Sequence, residues 1–134
     1  MPTKIKYSDI DFSFSMNSIS KDVNIKTNEN SIKQSLKNII LTRKQERPFK
    51  GNIGANIFDS LFENFDFRFI SKFTSMIKEQ LEAFEPRVKI IDVDIDPDKV
   101  DSNELNVDVT FEYITGYKTE PIQDFISVQL ERVR

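Results

Sequence analysis

The 134-residue sequence has no cysteine, no histidine and no tryptophan, and only three glycines. Without cysteine there can be no disulfide framework, thiol nucleophile or thiolate zinc site. Without histidine the Ser-His-Asp and Cys-His mechanisms and every imidazole metal site are excluded. The scarcity of glycine leaves no phosphate-cradling loop, since Gly51-Asn52-Ile53-Gly54 is not followed by Lys-Ser or Lys-Thr. Long apolar runs are missing as well. Ile39-Ile40-Leu41 is far too short to span a bilayer, and Met1-Pro2-Thr3-Lys4-Ile5-Lys6-Tyr7-Ser8-Asp9 has no apolar signal-peptide core. The expectation is a protein made in a cytoplasm, with no membrane partner and no bound cofactor or metal.

Phenylalanine, by contrast, reaches 12 residues, a heavy load for this length. The chain suits one domain, 1–134, and is long enough to bury a core without staples. Its net charge of −3 does not suit a general nucleic-acid binder, so no nucleic-acid partner is expected. The charge is unevenly spread. Asn28–Lys50 holds six basic residues against two acidic ones, and Ile90–Glu131 holds eleven acidic against two basic. These patterns predict two solvated faces of opposite sign.

Three zones follow along the chain: an N-terminal arm (1–27), a helical part (28–85) and an antiparallel sheet (86–134). In the arm, Ile10, Phe12, Phe14 and Met16 alternate with polar residues, as an extended segment with one apolar face would. Val23 and Ile25 suggest a further short strand. Ser31 and Gln34 match a capping box at the head of a helix carrying Ile32, Leu36, Ile39 and Ile40 on one stripe. Pro48 marks Arg47–Gly51 as loop, and the basic segment Thr42–Lys50 is expected to be an ordered loop against the fold rather than a phosphate contact. A short helix is expected over Ile57–Glu63. Asp66 is placed to cap a longer one whose stripe is Phe69, Ile70, Phe73, Met76, Ile77, Leu81 and Phe84, stopped by Pro86.

Beyond Pro86 the period becomes two. Val88, Ile90, Val93 and Ile95 mark a strand with a phase slip at Ile90-Ile91, suggesting a bulge. Leu105–Tyr113 and Ile126–Leu130 mark two more strands, joined by a turn-rich segment around Gly116. The predicted fold class is α+β: an extended arm, three helices, then a three-stranded antiparallel meander covered on one face by the helices.

Chemistry must then rest on carboxylates or hydroxyls, and nothing selects a catalytic pair among the 22 carboxylates. A calcium loop starting at Asp92 would need Gly and Glu where Pro97 and Asn103 stand. No catalytic site is expected. The Phe-rich segment containing Phe58, Phe62, Phe65, Phe67, Phe69 and Phe73 reads as core, with some members suited to an interface. Glu85-Pro86-Arg87 reads as a helix stop with a cation at the negative helix end.

In order, Tyr7-Ser8-Asp9-Ile10-Asp11, then Asn30–Lys44, Arg47-Pro48-Phe49, Leu61-Phe62-Glu63-Asn64 and Phe84-Glu85-Pro86-Arg87-Val88 resemble a known family. This is the inner baseplate wedge family of contractile-tailed phages of the T4 type, shared with the sheath-initiating baseplate component of type VI secretion systems. One departure is Lys44-Gln45, where many members carry Pro-Gly.

The resemblance implies a non-enzymatic virion protein that joins the wedge core to the tube-proximal hub and gives the sheath its first ring. It implies that Glu85, Pro86 and Arg87 contact the wedge core-bundle proteins. It also implies that the edge strand with Phe125, Ile126, Ser127, Val128, Gln129 and Leu130 pairs with the tail sheath protein, by β-augmentation. Tail tube or hub proteins are implied as further neighbours. Some members carry a lysozyme name, so a carboxylate-based peptidoglycan-degrading enzyme is the rival reading.

Overall fold

The computed structural model describes residues 7–60, 66–96, 104–113 and 122–131. Along the chain lie β1 (Ser8–Ile10), β2 (Ile25–Thr27), α1 (Glu29–Leu41), the single turn α2 (Ile57–Ser60), α3 (Phe67–Phe84), β3 (Val88–Ile95), β4 (Glu104–Tyr113) and β5 (Ile122–Glu131). Among the described residues no helix is long and apolar enough to cross a membrane.

The expected architecture is corrected in two respects. The arm is not merely extended. β1 and β2 pair antiparallel into a sheet of their own, Ile10 opposite Ile25, and a bridge between Met16 and Val23 prolongs the hairpin. A lone extended segment would leave its backbone donors and acceptors without partners, and the chain's return through Val23–Thr27 supplies them. The helical part contains two full helices rather than three. The helix expected over Ile57–Glu63 is described only as the turn Ile57–Ser60, and the rest of that span lies outside the described residues. Among the described residues there are therefore two full helices, the turn α2 and two sheets, not three helices under a single meander.

α1 starts two residues before the predicted capping box. Asn28 is its N-cap, but its side chain makes no cap bond. Asn28 Oδ1 instead accepts from Tyr7 N–H (3.3 Å), and Asn28 N–H donates to Tyr7 O (2.7 Å). Ser31 is buried inside the helix and its hydroxyl lacks a partner. α3 starts where Asp66 Oδ1 accepts the Phe69 N–H at 2.7 Å. Its buried stripe is Phe73, Ile77 and Leu81, flanked by half-buried Phe69, Ile70, Met76 and Phe84. Phe67 lies outside the core, 86% exposed.

In the larger sheet, β4 lies between β3 and β5, all antiparallel. Val93, Val109 and Ile126 stand in one cross-strand row, and Ile95, Val107 and Val128 in the next. The bulge falls between Ile90 and Asp92. Ile90 and Val93, three residues apart, can both face inward only because of that extra residue, while Ile91 turns out. The inner face meets Ile32, Leu36, Ile39 and Ile40 of α1 and the α3 stripe. Each fully buried side chain of this size contributes roughly 1.5–3 kcal/mol.

Candidate functional site

The end of α3 and the start of β3 build a charged cluster. Glu85 N–H closes the last turn onto Leu81 O, and Pro86 prevents its continuation. Arg87 then folds back onto Glu85 as a two-pronged pair, Nε to Oε1 at 2.6 Å and Nη2 to Oε2 at 2.7 Å. Glu85 is only 3% exposed, the one buried carboxylate among the described residues. Burial pushes its pKa up, but hydrogen bonds from Arg87 and Ser35 and the Arg87 charge outweigh that, and the carboxyl is held below its ordinary value. Its carboxylate hydrogen bond in turn holds the Arg87 guanidinium above its ordinary value, against partial burial.

The arm closes over this cluster. The Arg87 guanidinium lies 5.0 Å from the Tyr7 ring centroid, a cation–π contact. Gln34, almost fully buried on α1, clasps the arm backbone: its Nε2 donates to Ile10 O (2.7 Å) and its Oε1 accepts from Phe12 N–H (3.3 Å). Tyr7, Pro86, Arg87, Val88, Lys89, Glu112 and Tyr113 line an open groove of about 450 Å³. Tyr113 Oη donates to Glu29 Oε2 at 3.0 Å, and burial together with that bond raises the phenol pKa to about 12. Pro86 is exposed and Arg87 half-buried, so the groove presents these two while Glu85 holds Arg87 from beneath.

The two outer strands of the larger sheet differ in the state of their free edges. In the arm hairpin the bonding pattern is explicit: Asn17 N–H to Asp22 O and Asn24 N–H to Ser15 O bracket Val23, whose own N–H therefore points away from the partner. That N–H bonds the preceding Asp22 Oδ1 at 2.7 Å. The same signature occurs on β3, where Asp92 and Asp94 take the N–H groups of Val93 (2.9 Å) and Ile95 (3.0 Å), and on β5, where Asp124 takes that of Phe125 (2.8 Å).

The alternation of an antiparallel ladder fixes the rest. Val93 faces away from β4, so its partner Val109 faces β5, and Ile126 faces back to β4. Phe125, Ser127 and Gln129 therefore direct their N–H and C=O groups outward. β3 has a bulge and two aspartate-occupied donors on its edge, whereas on β5, among the described residues, only the Phe125 N–H is taken. Asp124 also binds Lys33 Nζ at 2.8 Å, locking β5 to α1.

Of the residues expected to bind partners, Glu85 and Arg87 are thus brought together, with Pro86 beside them. On β5, Ile126, Val128 and Leu130 are core residues, whereas Phe125, Ser127 and Gln129 are exposed. That Ser35 and Gln34 join the cluster is not legible in the sequence, because a polar residue on a helix gives no periodic signal of the group it will clasp, and Tyr7 reaches it only through the fold of the arm. The Ser31–Gln34 capping box is wrong for that reason: Gln34 is engaged with the arm. Among the described residues no cluster of acidic side chains could hold a metal ion.

A family model described as baseplate wedge protein gp25 matches residues 26–116. The baseplate wedge protein gp25 of Enterobacteria phage T4 is 36% identical over 108 residues, 81% of this chain and 80% of that protein. The fold is similar to a chain in the cryo-EM structure of the anti-feeding prophage baseplate, with TM-score 0.70, 24% identity, and 79% and 84% of the two chains covered. It is also similar to a Geobacter sulfurreducens protein provisionally assigned as a tail lysozyme, with TM-score 0.63, 21% identity, and 79% and 94% covered. At those identities the two structures bear on the fold alone.

Proposed function

This chain belongs to the baseplate wedge protein gp25 family, and from that premise we propose that it joins the wedge core to the tube-proximal hub and templates the first ring of the tail sheath. It is a structural component of a contractile-tail baseplate, resident in the virion. Its neighbours are other baseplate proteins. In the proposed arrangement the wedge core-bundle proteins meet the Pro86–Arg87 groove, and Glu85 serves from beneath by holding the guanidinium in place. The sheath protein adds a strand to β5.

The observation that carries this reading is the open β5 edge beside a guarded β3 edge. An unpaired edge is a hazard that solitary proteins blunt, and β3 is blunted by its bulge and its aspartates. β5 is left able to pair at Ser127 and Gln129, as an initiator requires.

Proline at either position removes an outward N–H while the side chain stays on the wet face. Ser127→Pro and Gln129→Pro are expected to complete baseplates but carry no sheath, with melting curves confirming the fold. Ser127→Ala keeps the N–H and is expected to sheathe normally. Full-length sheaths on both folded proline variants would refute strand donation.

The protein is also proposed to be no enzyme. A glycosidase acid needs a raised pKa, and the one buried carboxylate among the described residues is shifted the other way by Arg87. Clearing of a peptidoglycan suspension by the purified protein, abolished by a single carboxylate change, would reverse this reading.

A further inference from the structure

The loop from Thr42 to Asn56 has a built base and an uncovered tip. At the base, Gln45 N–H bonds Gly51 O (2.8 Å), Lys44 N–H bonds Asn56 Oδ1 (3.0 Å) and Arg43 N–H bonds Glu46 Oε2 (2.9 Å). Gly54, at φ 133, packs so tightly that a Cβ there would sit 2.5 Å from Thr42 O. Ile53 and Ala55 are buried, and the Gln80 amide of α3 lies against the loop, where its nitrogen, once the amide is turned over, would donate to Gly54 O (3.2 Å) and Asn52 O (3.3 Å). The expectation of an ordered loop against the fold holds for order, since the backbone bonds of Arg43, Lys44 and Gln45 fix its root, and fails for packing, since Arg43 to Lys50 are all exposed.

Phe49 stands fully in solvent at that tip. Lys50 N–H reaches back to Arg47 O at 3.4 Å, closing a turn with Pro48 and Phe49 at its centre. Phe49 has φ 68, so it occupies the third position of a type II turn, which normally takes glycine. An aromatic residue in a glycine conformation, with its ring in water, brings strain and exposed apolar area with no return in the free chain. Lys44, Arg47 and Lys50 lie exposed in the same loop, while the Glu46 carboxylate is turned in to the Arg43 N–H.

We propose that Phe49 is a plug for a neighbouring baseplate protein, entering an apolar socket rimmed by Asp or Glu side chains. A central aromatic with charged surroundings is the usual anatomy of a binding hot spot, and a rigid base limits the entropy lost on docking. The charge of the tip selects a carboxylate rim. A nucleic acid fits less well: there is one ring rather than a stacking platform, and the sheet half of the chain is strongly acidic. This inference goes beyond the sheath and core-bundle contacts, and involves neither β5 nor Arg87.

Phe49→Gly separates docking from folding, because glycine relieves the turn. The variant is expected to melt at or above the wild-type temperature, yet to enter gradient-purified baseplates about tenfold less well. Arg47→Glu with Lys50→Glu is expected to lose incorporation similarly. A photo-crosslinking phenylalanine analogue at position 49 in assembled baseplates is expected to label a carboxylate-rich peptide of another baseplate protein. The same probe at Lys72, exposed on α3, is expected not to label that peptide. Wild-type incorporation of Phe49→Gly overturns the proposal, as does a lowered melting point or an adduct to nucleic acid. So does the absence of any adduct, or one to a segment without carboxylates.

Discussion

Ile10, Phe12, Phe14 and Met16 alternate with polar residues as regularly as Ile126, Val128 and Leu130 do. The first set is 52–68% exposed and the second at most 9%. Alternation assigns side chains to faces of a strand, but burial needs a second layer to cover one of them. β5 has that layer, since α1 packs on its inner face and Lys33 grips Asp124. The arm hairpin is held at its root by the clasps from Asn28 and Gln34 and by Tyr7 against Arg87, and these leave Ile10, Phe12, Phe14 and Met16 more than half exposed.

The contrast is tested most severely by truncating one residue from each region. Leu81→Ala, under β3 and 0% exposed, is expected to cost about 2–5 kcal/mol in urea unfolding. Phe14→Ser in the arm is expected to stay within about 0.5 kcal/mol. A large loss from Phe14→Ser would mean that the arm is part of the core.

The next largest effect concerns the cluster where arm and sheet meet. Arg87→Ala leaves Glu85 buried and unpaired, and is expected to cost about 2–3 kcal/mol, the low end for a buried pair because Arg87 keeps some solvent. Glu85→Gln with Arg87→Met removes both charges and is expected to cost less than the single change.

The same pair makes a pH prediction. The folded-state pKa of Glu85 is depressed, so its contribution is present above the ordinary value of 4.5 and is lost as pH falls through the lower folded value. Acid unfolding below pH 4.5 is therefore expected to lose this contribution in the Glu85→Gln variant. An unchanged acid limb would mean that Arg87 does not stabilise the carboxylate.

Tyr113 offers a smaller effect at the other end of the scale. Its pKa is raised from 10.0 to about 12, so its contribution is present below pH 10 and lost as pH rises toward 12. Phenolate absorbance is expected to show one late-titrating tyrosine, absent in Tyr113→Phe. Smallest of all should be the edge effect. Asp92→Ala with Asp94→Ala is expected to speed amide exchange at Val93 and Ile95 while shifting stability by no more than about 0.5 kcal/mol.

Much of the fold is legible because its signals are local. Asp66 caps α3 and Pro86 ends it through chemistry confined to one turn, and the slip at Ile90-Ile91 is visible because a period of two admits only one correction. The capping box at Ser31 and Gln34 misleads because the same residue types serve equally as clasps for a distant backbone. Glu85 and Arg87 are near neighbours in sequence, but that Ser35 and Tyr7 join them depends on how α1 and the arm converge.

The order of residues alone determined the two long helices, the strand faces and the exclusion of cysteine and histidine chemistry, since each follows from side-chain type and spacing within a few residues. Tertiary structure decided which alternating segment became core, which outer strand kept an open edge, and that Glu85 would be buried and ionised. Those outcomes depend on which layer covers which face, on ladder parity carried from β3 through β4 to β5, and on removing water from a carboxylate that only Arg87 and Ser35 can then satisfy.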